Sequence, residues 1–136
     1  MTVSEQEVQD HLNIYEEARQ GWFRSTNAAA ECRAVISRNE REIKSLAINA
    51  MLDPSIDGSS KEKRDAQALR LVEADPRHAL LAQEIRLYEK DRQAHEAIVE
   101  DAVHAMRGAR LAIEWAIALV QREAAMLSSK EMDRAR

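Results

Sequence analysis

Along the first fifty residues, apolar side chains recur in alternating steps of three and four: Tyr15, Ala18, Trp22, Ser25, Ala29, Cys32, Ile36, Asn39, Ile43, Leu46 and Ala50. That alternation averages 3.5 residues, the period that keeps one stripe of an α-helix against a partner helix. Only Ser25 and Asn39 on this stripe are polar. The pattern returns at Leu81, Ile85, Tyr88, Arg92, His95, Val99, Ala102, Met106, Ala109, Ile113, Ala116 and Val120, ending near Leu127. Two long amphipathic helices are predicted, with Arg92 and His95 as polar members of the second stripe.

Breaker and cap residues set the boundaries. Ser4 followed by Glu7 has the capping-box spacing, in which the hydroxyl and the carboxylate each satisfy an orphan N–H of the first turn. Helix 1 is expected over about 5–52, because the residue before Pro54 resists the α conformation. The linker 53–58 carries Asp53, Pro54, Asp57 and Gly58. Ser59 with Glu62 repeats the capping-box spacing and opens a short helix 2 over about 60–74. At Asp75-Pro76 the aspartate suits an N-cap and the proline the first helical turn. Helix 3 is expected over about 76–128, followed by a frayed C-terminus, 129–136.

Such helices need partners, because most helical stability comes from packing an apolar face. The expected fold is all-α: a single domain formed by a long antiparallel helical hairpin, coiled-coil-like, with helix 2 near its tip. Paired positions sum to roughly 130, within the usual boundary error. Trp22 then lies opposite Gly108, filling space that a mid-helix glycine leaves, and Tyr15 lies near Trp115. Helix 3 is also apolar over a wider arc than one partner covers. Leu111, Trp115, Ala118 and Leu119, flanked by Ile98 and Ile117, form a candidate protein interface, and the expected assembly is a homodimer closing a four-helix bundle.

Composition agrees with helix and excludes most alternatives. Ala, Glu, Lys, Leu and Arg supply 70 of the 136 residues, against three Gly, two Pro and five aromatics. A β-sandwich or βαβ unit needs more turn and β-branched residues than this. The formal charge of −4 disfavours binding that relies on net positive charge. No apolar run approaches a membrane span, and Met1-Thr2-Val3-Ser4-Glu5 lacks the form of a secretion signal, so a cytoplasmic protein without membrane contact is expected. Cys32, the lone cysteine, reads as a small core residue.

Catalytic chemistry is hard to place. His11, His78, His95 and His104 lack the His-Glu-x-x-His spacing of zinc enzymes, and no paired Glu-x-x-His motif offers a di-iron site. No phosphate loop or nucleophile elbow is present. The expectation is a protein that is not an enzyme, with no metal site and no cofactor. The bases are more suggestive: Arg38, Arg41, Lys44, Lys61, Lys63, Arg64, Arg70 and Arg77 gather toward the predicted tip as a candidate phosphate-binding patch. Glu40, Glu42, Glu62, Asp65, Glu73 and Asp75 are interleaved among them, and no aromatic stands there to stack bases.

The order of a long alanine-rich helix, the segment Ser-Ser-Lys-Glu-Lys-Arg-Asp-Ala-Gln at 59–67, Asp75-Pro76 and a last amphipathic helix through Glu114-Trp115-Ala116 resembles a group of small uncharacterised phage helical-hairpin proteins. These are often encoded beside single-strand-annealing recombination genes. The resemblance implies a phage or prophage origin and an accessory role, with no catalytic residues to carry over. Two functions follow. One is a non-enzymatic interaction or scaffold protein, a phage accessory or inhibitor acting on a host or phage protein. The alternative is an accessory factor in recombination or replication that binds single-stranded nucleic acid weakly through the basic tip.

Overall fold

A computed structural model describes residues 5–58 and 60–135. They form three α-helices, α1 (Glu5–Met51), α2 (Lys61–Ala74) and α3 (Pro76–Ala135), with no strand among the described residues. The chain is all-α, as its period and composition require.

Local chemistry explains where the helices stop. Beyond α1 the N–H groups of Leu52 and Asp53 donate to the carbonyls of Asn49 and Ala50, both at 3.2 Å. These tighter three-residue turns close the last helical turn before Pro54. The Asp53 carboxylate then accepts from the Ser55 N–H at 2.8 Å, the side-chain turn that aspartate favours. Gln67 fastens the linker to α2: its amide accepts from the Asp57 N–H at 2.9 Å and donates to the Asp57 carbonyl.

The N-cap of α2 differs from the expectation. Ser60 caps it, with extended backbone and its hydroxyl accepting from the Lys63 N–H at 3.3 Å. The capping-box rule favours Ser59 because Glu62 stands three positions on, whereas Ser60 has Lys63 there and caps through its hydroxyl alone; Ser59, like Ser4, lies outside the described residues. Ser60→Ala is expected to destabilise α2 by about 1 kcal/mol. Amide exchange should quicken across the first turn of α2 and stay unchanged in the centre of α1. Asp75 ends α2 and caps α3, as the sequence predicts. Its N–H donates to the Val72 carbonyl at 3.1 Å, while its carboxylate accepts from the Arg77 N–H at 2.9 Å.

The packing divides the chain into two compact units, residues 27–96 and residues 1–26 with 97–136. Within 27–96, α1 buries Ala29, Cys32, Ile36, Asn39 and Leu46, and α2 buries Ala68 and Val72, one turn apart. Arg33 meets Glu96 at 3.0 Å and Arg38 meets Glu84 at 3.5 Å, so α1 and α3 run antiparallel there. These exposed pairs mark the register and contribute little stability. Leu46 and Asn49 share a cleft of about 320 Å³ with Leu80 and Leu81.

In the other unit Ser25 is buried from α1, and Ala102, Ala109 and Ala116 from α3. Their seven-residue spacing is the seam period expressed in small side chains, which bring helices close. Leu12 and Tyr15 line a groove with Arg110, Ile113 and Glu114.

Four expectations are corrected here. A Cβ on Gly108 would meet nothing within 4 Å, so Trp22 does not fill its space. Gly108 is exposed because it precedes the buried Ala109 and so lies about 100° around the helix from it. Trp115 is 69% exposed and Tyr15 lies beside Ile113 and Glu114 instead. After Ala116 the half-buried positions are Leu119 and Glu123, and Val120 is exposed; the first turns of α1 are polar apart from the half-buried Val8 and offer little to cover it. Finally, α3 continues through Ala135 in place of the frayed C-terminus expected from 129; residues 124–135 are helical and exposed throughout, and Arg136 lies outside the described residues.

Candidate interaction surface

The face of α3 in the unit containing residues 97–136 is defined by the buried line Ala102, Ala109 and Ala116. One residue earlier, and so about 100° around the helix, runs the line Asp101, Gly108, Trp115 and Arg122, all exposed. Beside it runs Ile98, Ala105, Ala112, Leu119 and Met126, of which Ala112 and Leu119 are half-buried. Taken together, these residues alternate steps of three and four from 98 to 126. A second helical stripe, largely of apolar and small residues, thus lies off the stripe that α3 packs internally.

Leu111, Trp115 and Ala118 fall on the exposed side, with Leu111 66% exposed, and Leu119 sits at its half-buried edge. Sequence reasoning picked out these four and not Ala105, Gly108 and Ala112, which share the stripe with Trp115 and Leu119. The overlooked signal was the seven-residue interval from Gly108 to Trp115. Exposed apolar residues continue beyond them at Met126, Leu127 and Met132.

The basic residues proposed for the tip all lie within residues 27–96: Arg38, Arg41 and Lys44 on α1, Lys61, Lys63, Arg64 and Arg70 on α2, and Arg77 on α3. Two are engaged by carboxylates, Arg38 by Glu84 and Arg77 by Asp75 at 2.8 Å. Hydrogen bonds from Arg77 hold the Asp75 carboxyl below its usual pKa range. Arg77 also lines a cleft of about 460 Å³ with Asp53 and Asp75, two acids that oppose an anionic ligand.

Several titratable groups elsewhere are tied into helix-surface pairs. Glu96 accepts from both Arg33 and Arg92, and hydrogen bonds from Arg92 to Glu89 and Glu96 push the Arg92 pKa up. His104 stands 4.0 Å from Glu100 on the exposed face, and Cys32 is buried. Among the described residues no three His, Cys, Asp or Glu side chains gather as a metal site, and no helix is long and apolar enough to cross a membrane. Compared with protein-family models, with curated proteins and with solved structures, the chain matches none.

Proposed function

We propose that this chain is a cytoplasmic, non-enzymatic interaction or scaffold protein. In this reading α1 and α3 pair as a coiled-coil-like hairpin, and the exposed face of α3 closes a four-helix bundle with a second subunit. The observation that carries it is the exposure of Leu111 and Trp115 beside Gly108 and Ala118 on one helical face. Large apolar side chains grouped in this way mark contact surfaces, whereas singly scattered ones do not. Gly108 supports the reading because glycine in an exposed helix costs about 1 kcal/mol relative to alanine, and nothing within its own subunit needs the space. A phage accessory or inhibitory role is part of the proposal: such a protein acts by occupying a host or phage protein.

Nucleic-acid binding is less well supported, since acids are interleaved with the tip bases and already hold Arg38 and Arg77. Analytical ultracentrifugation at tens of micromolar protein tests the reading, and a dimer is the expected result. A monomer at that concentration overturns it, as does single-stranded DNA binding that strengthens steeply at low salt, the signature of phosphate contacts.

A further inference from the structure

Along the exposed face of α3, Asp101, Gly108, Trp115 and Arg122 stand at intervals of seven residues, an acid, a gap, a large knob and a base in that order. Read in reverse, the same line offers a base opposite the acid and a knob opposite the gap. We infer that the occupant of this face is a second copy of α3 lying antiparallel, about a two-fold axis between Leu111 and Ala112. This rests on the reading of the face as a contact surface, and it specifies which partner and which register.

About that axis, residues equally distant from it come level. Asp101 meets the partner's Arg122, and Trp115 meets the partner's Gly108. The space open around Gly108 receives an indole that is exposed on its own subunit. Asp101 and Arg122 are the only charged residues on the line of threes and fours from Ile98 to Met126, and they lie about 32 Å apart along the helix. Two-fold symmetry makes every such contact twice, so both charges of each copy are matched. Ala105 and Ala112, also on that line, are small enough to let the two backbones approach. Parallel pairing is disfavoured by the same residues: it sets Asp101 against Asp101, Arg122 against Arg122, and Trp115 against Trp115 with the two glycines facing an empty gap.

Cysteine cross-linking in a Cys32→Ala background reads the register directly. Asp101→Cys mixed with Arg122→Cys should form a disulfide-linked heterodimer, and neither variant should cross-link alone. Leu111→Cys, next to the axis, should cross-link with itself. Self-linking of the 101 and 122 variants signifies parallel pairing and overturns the inference. Failure of all three to link while ultracentrifugation still shows a dimer overturns the register and leaves the broader contact reading standing. A monomeric wild type overturns both. Charge reversal provides a second readout on residues whose exposure keeps them out of the subunit core. Asp101→Arg or Arg122→Asp alone should weaken dimerisation by about tenfold or more, and the double variant should recover most of the loss. Equal weakening by the double variant counts against the pairing.

Discussion

Trp115→Glu is expected to convert the protein to a monomer at concentrations where the wild type is dimeric, weakening association by about a hundredfold or more and leaving helix content unchanged. The indole is 69% exposed on its own subunit, so the fold does not depend on it. Covering a tryptophan at an interface contributes about 2 kcal/mol or more, and a two-fold contact loses that contribution twice. The introduced carboxylate would also have to leave water next to Glu114, which already engages Arg110 at 3.2 Å. Ultracentrifugation with circular dichroism on the same samples separates the outcomes. Unchanged association removes the outer face of α3 from the assembly. Monomers that have also lost helix would show that Trp115 supports the subunit itself.

The internal stripe was legible because one physical requirement generates it. A helix paired along its length must return an apolar or small residue to the same side every three or four positions, and Ala29, Cys32, Ile36 and Leu46 are buried where that spacing places them. Asp75 was legible as a cap because Asp-Pro there is followed at once by a long helical period, whereas Asp53-Pro54, followed by further breakers, makes a turn. The pairing of Trp22 with Gly108 failed for a specific reason: matching two residues by level along an antiparallel pair ignores azimuth, and one residue's offset turns a side chain by about 100°. Val120 went astray because a seam position is buried only if the facing helix supplies apolar cover, and the start of α1 supplies acids and glutamines. The line Asp101, Gly108, Trp115 and Arg122 was present in the sequence, yet the sequence does not say which side of the helix is left open. Only the burial of Ala102, Ala109 and Ala116 decides that.

Asn39→Leu is expected to raise the stability of the subunit by about 1–3 kcal/mol. Asn39 is the most completely enclosed large side chain, 1% exposed, on the α1 stripe between Ile36 and Leu46. Its amide Nδ2 has no hydrogen-bond partner among the described residues. An amide taken from water without compensation costs a few kcal/mol, and leucine of similar branched shape removes that cost while adding apolar burial. The urea midpoint should therefore rise with little change in the slope of the transition, since the surface exposed on unfolding is nearly the same. Asn39→Asp tests the same environment with the opposite sign. A carboxylate there must either lose its charge or be buried ionised, so that variant should unfold more easily as pH rises from 4 to 7. The sign follows from the raised folded-state pKa expected of an enclosed carboxyl: its protonated form is favoured in the folded chain, and that advantage disappears as the group ionises. A polar residue at one seam position also penalises pairings that slide by a heptad, because the amide would then face a different layer. The leucine variant should accordingly gain stability and lose some discrimination between registers. A leucine variant less stable than the wild type would mean that the enclosed amide makes a net favourable interaction where it sits.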